Sequence, residues 1–221
     1  MIIGLTGKNA SGKGEVVNYL KAKGFVYYSL SDIIREEATK SGLEHTRDNL
    51  IALGNKLRQS HGPNYLAVQI NNKIKEQLEN RNKKNSMNND INNKNIEKNN
   101  ELKINGKINN KKIKEYNFVV DSIRSPYEAK ELMKNKNFIL LGIDAPIELR
   151  FKRILERNRA GDAKTLEEFK EQEQRENLKS NTNQQLDETF KLSKNVLSNK
   201  GTLEDLHKKI DDLLKELKCQ E

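Results

Sequence analysis

A chain of 221 residues with 34% hydrophobic side chains is long enough to bury one substantial core, and its net charge of +9 raises the question of polyanionic partners. It has no apolar run of about 18 residues and no charged-then-apolar leader, so a soluble, cytoplasmic protein without a membrane span is expected. Cys219 is the only cysteine, which excludes a disulfide framework and a cysteine-based zinc site.

The first elements carry the strongest signal. Ile2 to Leu5 is a short apolar run, and Val16, Val17 and Leu20 recur at helical spacing, so strand, glycine loop and helix are predicted in that order. Between strand and helix, Gly7, Gly12 and Lys13 fit the phosphate-loop spacing GxxxxGK. Backbone N–H groups there surround an anionic polyphosphate at a helix N-terminus, and the lysine neutralises its outer oxygens. Glycines are required because side chains would block the approach of the backbone. The residue after the lysine, where a magnesium-binding hydroxyl is usual, is Gly14, followed by Glu15.

Gly24 ends the first helix, and Phe25 to Tyr28 predicts a second strand running into Ser29-Leu30-Ser31-Asp32, where Ser31 or Asp32 caps a helix over 33–39. Leu50, Ile51, Leu53 and Leu57, then Leu66, Val68, Ile70, Ile74 and Leu78, mark two amphipathic helices. Most of the net charge lies in the next segment: residues 80–114 hold ten Lys and Arg against three Asp and Glu, leaving thirty-one against twenty-nine elsewhere. Rich in asparagine and without an aromatic residue, this stretch reads as a disordered or weakly helical low-complexity insertion. Nucleic-acid binding is therefore not expected of the chain as a whole.

Asn117 to Asp121 is an apolar run ending on a carboxylate, the pattern of a buried strand whose last residue reaches a ligand at the sheet edge. A helix over 126–133 leads to a strand over 138–143 and then to a basic helix through Arg150, Arg153 and Arg157. Arg150 alone reads as part of a solvated face. A further helix is predicted over 166–177, carrying Arg175. A brief strand over 195–198, the turn Asn199-Lys200-Gly201 and a helix striped by Leu203, Leu206, Ile210, Leu213 and Leu217 close the chain. Alternating strands and helices predict one three-layer α/β domain around a five-stranded parallel sheet, with ligands at the carboxyl ends of the strands.

The inventory points to phosphoryl transfer, where catalysis is mostly positioning and charge neutralisation. The phosphate loop suits a triphosphate donor, and Asp121 is placed to hold Mg²⁺ or its water. Arg35 and Arg124 each follow an aspartate by three residues, beyond a strand end, where an acceptor phosphate would receive a bidentate contact.

The pieces Lys13-Gly14, Ser29-x-x-Asp32-x-x-Arg35, Asp121-x-x-Arg124 and an arginine helix leading into a lid resemble P-loop nucleoside monophosphate kinases of the adenylate kinase type. GLTGKNASGKGE, YYSLSDIIREEA, VVDSIRSPYEA, LLGIDAPIELRF and NKGTLEDLH further resemble a branch related to dephospho-CoA kinase and adenylate kinase, found alone or fused ahead of deoxycytidylate deaminase domains. No deaminase zinc signature is present in this sequence.

The resemblance implies an ATP- and Mg²⁺-dependent kinase of a nucleoside or deoxynucleoside monophosphate with a short helical lid at about 146–180. ATP would meet Gly7, Lys8, Asn9, Ala10, Ser11, Gly12, Lys13, Gly14 and Glu15, with Arg157, Asn199 and Gly201 beyond the loop. The acceptor would meet Ser29, Asp32, Arg35, Arg124 and Arg175, and the catalytic set would be Lys13, Asp32, Arg124, Arg153 and Arg157. Two alternatives stay open: a dephospho-CoA kinase-like enzyme acting on a sugar hydroxyl with Asp32 as base, and a nucleotide-binding regulatory module with little turnover.

Overall fold

The structure, a computed structural model, describes residues 1–97, 116–159, 161–176 and 185–219. Strands β1 (Ile2–Thr6), β2 (Val26–Ser29), β3 (Phe118–Asp121), β4 (Phe138–Asp144) and β5 (Asn195–Ser198) form one sheet in the order β2-β3-β1-β4-β5, every pairing parallel. The expected five-stranded parallel α/β architecture is what the chain adopts.

Alternation along each strand builds two cores. Ile3, Leu5, Val119, Leu141 and Ile143 face α1 (Lys13–Ala22) and α9 (Leu203–Lys218), whose stripe of Leu206, Ile210, Leu213 and Leu217 is buried there. Ile2, Phe118, Val120 and Leu140 point the other way, onto α2 (Leu30–Lys40), α4 (Tyr65–Glu97) and α5 (Pro126–Leu132). Gly4 shares that second face because a Cβ there would stand 2.4 Å from the Phe138 ring.

Helix α3 (Arg47–His61) is capped by Thr46, whose hydroxyl accepts from the Asn49 N–H. The C-terminal arm of the site is α6 (Ile147–Arg157), α7 (Leu166–Glu176) and α8 (Leu186–Lys191), the last not foreseen from the sequence. Helix α4 also runs further than expected, through Glu97 into the asparagine-rich stretch; the remainder of that stretch, 98–115, and the last part of the expected lid, 177–180, lie outside the described residues.

Parallel pairing brings all five strand ends to one edge, with Ser29 beside Asp121 and Asp144 beside Ser198. Because β1 lies between β3 and β4, the chain turns back across the sheet beside it, and a crevice opens outside the strand ends at that point.

Candidate active site

The loop between β1 and α1 occupies this crevice, and its carbonyls are held by side chains from outside it. Lys13 Nζ donates to Gly7 O and Lys8 O at 2.6 and 2.9 Å. Arg150 Nη1 reaches Asn9 O at 3.3 Å, and Arg153 Nη1 reaches Ala10 O and Ser11 O at 3.3 and 3.4 Å. Asn199 Nδ2 donates to Ser11 O at 2.8 Å. Five consecutive carbonyls are thus bound to donors, which concentrates the loop's remaining positive dipole on the helix N-terminus of α1.

Two glycines make this geometry accessible. Gly7 has φ +138°, and a Cβ on it would lie 2.2 Å from the Ile143 carbonyl. Gly12 has φ +105°, and its Cβ would fall 2.0 Å from Asn199 Nδ2. Ala10 also takes a positive φ, 59°. Thr6 Oγ1 and Ser11 Oγ are buried beside the loop without a hydrogen-bond partner among the described residues.

Three arginines of α6 have distinct positions. Arg150 is buried, against the solvated face expected for it: besides Asn9 O it donates to Ala145 O at 2.9 Å and forms an ion pair with Glu173 of α7. Its guanidinium sits over the ring of Phe169, which clusters with Ile154 and Ala163. Arg153 uses its guanidinium on loop carbonyls and on Asn199 O at 3.1 Å, so in this conformation it braces the loop. Burial is the main force pushing its pKa down, with Glu156 and Glu15 opposing it. Arg157 makes a two-pronged pair with Asp162, both distances 2.7 Å, and touches Asn9 Oδ1 at 3.3 Å. Those hydrogen bonds hold the Asp162 carboxyl below its usual range.

From Lys13 a cleft of about 370 Å³ runs towards α2 and α3. Arg35, Arg124 and Arg157 line it, as do five cationic or titratable residues that sequence reasoning passed over: His45, Arg47, Arg58, Arg159 and Asp162. Arg47 did carry a signal, because a cation in the first turn opposes the helix dipole and invites an anionic partner. Asp32 pairs with Arg35 at 2.8 Å and is not among the residues lining the cleft; Ser31 lines it instead.

The structure does not bring every expected residue here. Arg175 is 75% exposed and paired with Glu171. Ser29 is buried, accepting from the Ser31 N–H and donating to Ser122 Oγ, so its hydroxyl serves as helix cap and crosslink. Lys8 pairs with Asp187 at 3.4 Å. Glu15 is exposed, and Gly201 lies where the Thr202–Asp205 capping box starts α9.

Beneath Arg124 lies the pair that sequence reasoning missed outright. Glu128 is fully buried; Oε2 accepts from the Arg124 and Ser125 N–H groups at 3.0 and 3.1 Å, and Oε1 accepts from Arg58 Nε and Nη2 at 3.0 and 2.8 Å. The S-P-Y-E capping box was visible in the sequence, but the arginine that neutralises it comes from α3, seventy positions away.

For a metal, Asp121 is the fitting carboxylate: Oδ1 is buried without a hydrogen-bond partner among the described residues, at the end of β3, the strand paired with β1. At Gly14 a Cβ would meet nothing within 4 Å, so the usual hydroxyl is missing while its space is present. No group of three or more His, Cys, Asp or Glu suited to a metal occurs among the described residues. The donor set therefore fits Mg²⁺ carried mainly by nucleotide phosphates with one protein carboxylate nearby.

A parallel α/β sheet carrying a glycine loop and its lysine at the carboxyl edge is the architecture of a P-loop fold. No protein-family model matches the chain. A UPF0200 protein of Pyrococcus abyssi is 32% identical over 179 residues, 80% of this chain and 78% of that one. The chain belongs to the UPF0200 family. Among solved structures, an uncharacterized protein from Eubacterium ventriosum matches with TM-score 0.52 and 14% identity, covering 98% of each chain. A dephospho-CoA kinase from Campylobacter jejuni matches with TM-score 0.47 and 17% identity over 98% of this chain and 96% of that one.

Proposed function

We propose that the protein is an ATP-dependent phosphotransferase whose acceptor is a nucleoside or deoxynucleoside monophosphate. The observation that carries this reading is the lining of the cleft: Lys13, Arg35 and Arg124 all line it, and Asp162 is the one carboxylate among the lining residues. Asp162 is already committed to Arg157. A hydroxyl acceptor needs a base to take its proton, whereas a phosphate acceptor is nucleophilic as it stands. The half-exposed Asp32, paired with Arg35 outside the cleft lining, argues against the dephospho-CoA kinase-like alternative.

In this reading the donor polyphosphate enters the amide cradle and draws Lys13 from the Gly7 and Lys8 carbonyls onto its outer oxygens. Arg35 and Arg124 hold the acceptor phosphate in line, and one of its oxygens attacks the γ-phosphorus. The bond from the γ-phosphorus to the β-phosphate bridging oxygen breaks, giving ADP and a nucleoside diphosphate. Arg157, with Nε and Nη2 still on Asp162, turns its Nη1 from Asn9 to the transferring group and neutralises its equatorial oxygens. Bound Mg²⁺ would supply further charge neutralisation on the β and γ oxygens.

The test is transfer of labelled γ-phosphate from ATP to a panel of ribo- and deoxyribonucleoside monophosphates, with and without Mg²⁺. Transfer to at least one of them, lost in Lys13→Ala with the circular dichroism spectrum unchanged, is the expected result. Tight ATP binding without transfer to any acceptor overturns the kinase reading in favour of a regulatory nucleotide-binding module.

A further inference from the structure

Beyond its cationic residues the cleft has an apolar wall formed by Leu30, Ile34, Leu50, Ile51 and Leu66, contributed by α2, α3 and α4. A guanidinium stands against that wall. Arg58 is 4% exposed, and Glu128 takes its Nε and Nη2. The remaining nitrogen, Nη1, makes no hydrogen bond among the described residues. It lies 3.3 Å from the point where a Cβ on Gly54 would stand, and Gly54 and Arg58 both line the cleft. Glycine inside a helix costs about 1 kcal/mol relative to alanine. At position 54 it leaves room first for Ile34, whose Cδ1 would stand 2.9 Å from that Cβ, and then for Nη1.

A guanidinium nitrogen only donates, so Nη1, the one nitrogen of Arg58 not taken by Glu128, has a hydrogen bond to offer a lone pair on a ligand in the cleft that Arg58 lines. Glu128 already balances the Arg58 charge, so this guanidinium has no net charge left to offer a second anion, and the leucine and isoleucine side chains lining the same cleft suit a flat ring. A neutral carbonyl oxygen on a flat ring satisfies both the donor and the walls. We propose that Arg58 Nη1 reads a carbonyl oxygen on the acceptor's base, making the acceptor a monophosphate of uracil, thymine or guanine in preference to adenine. This rests on the monophosphate-kinase reading above, with Arg35 and Arg124 holding the other end of the same molecule. Adenine carries an amine at the ring position where guanine, uracil and thymine carry that carbonyl, so with its phosphate anchored it sets donor against donor at Nη1 and must shift to offer a ring nitrogen instead.

The experiment is calorimetric titration of the whole protein, its donor site saturated with a non-hydrolysable ATP analogue, with UMP, dTMP, GMP and AMP. At least one of the carbonyl-bearing monophosphates is expected to bind about tenfold or more tightly than AMP. In Arg58→Met combined with Glu128→Gln, which removes both buried charges together, that preference is expected to shrink to about threefold or less, with the affinity for the ATP analogue unchanged. Should this variant fail to fold, Arg58→Lys keeps a counter-ion for Glu128 while withdrawing the third nitrogen, and the preference is expected to fall in the same way. AMP binding as tightly as the other three, or a preference that survives in the folded variant, overturns the assignment of Arg58. If the ATP analogue binds and none of the four monophosphates does, the acceptor reading itself is overturned along with it.

Discussion

Replacing Gly12 with alanine tests how the phosphate loop is held. The new Cβ would lie 2.0 Å from Asn199 Nδ2, against an ordinary contact of about 3.4 Å, so one partner must retreat by about 1.4 Å. Asn199 has little room to do so. It is buried; its N–H donates to Asp144 O at 2.7 Å, its carbonyl accepts from Arg153, and its side chain holds Ser11 O. Backbone strain at φ +105° for a residue with a side chain costs about 1–3 kcal/mol, and loss of the Asn199–Ser11 hydrogen bond about 1 more. Gly12→Ala is therefore expected to lose about 2–4 kcal/mol in urea unfolding and at least about tenfold in ATP affinity. Asn199→Ala alone removes only the hydrogen bond. In the double variant the added methyl group meets empty space, so its destabilisation should fall short of the summed single effects by about 1 kcal/mol. Strict additivity, to within about 0.3 kcal/mol, would refute the contact on which this reasoning depends.

Three further outcomes follow from the same geometry. Glu173→Gln takes the counter-charge from a buried Arg150, which should cost up to about 3 kcal/mol in thermal unfolding and weaken ATP binding severalfold, because Arg150 also holds Asn9 O; ATP binding at wild-type strength would disconnect α7 from the loop. Since Arg157 lowers the Asp162 pKa, its contribution is fully present above the unfolded value near 3.8 and is lost as pH falls through the lower folded value. Acid unfolding curves below pH 3.8 should therefore be shallower for Asp162→Asn than for the wild type. Gly14→Ser restores a hydroxyl where a Cβ meets no neighbour within 4 Å, so stability should hold or rise by about 0.5 kcal/mol while Mg²⁺ tightens ATP binding more than in the wild type; an unchanged Mg²⁺ effect would dissociate that position from the metal.

Local pattern was enough for every part of the chain whose structure depends on its own neighbours. Apolar runs of period two and stripes of period 3.6 announced the five strands and most helices, and the glycine spacing announced the phosphate loop, because these signals arise from backbone geometry within a few residues. Which arginine does what was not available at that range. Arg150, Arg153 and Arg157 share one helix and one residue type, yet the first is buried on Glu173, the second spans loop carbonyls and the third faces Asp162. Nor does anything near Glu128 announce Arg58, or anything near Gly12 announce Asn199. A charge is stabilised by whatever opposes it in space, and sequence separation says little about that distance once a parallel sheet has gathered distant loops at one edge. The residues themselves thus determined a parallel α/β chain with a cradle for phosphate, while the tertiary packing alone decided which side chains brace that cradle and which are left facing a ligand.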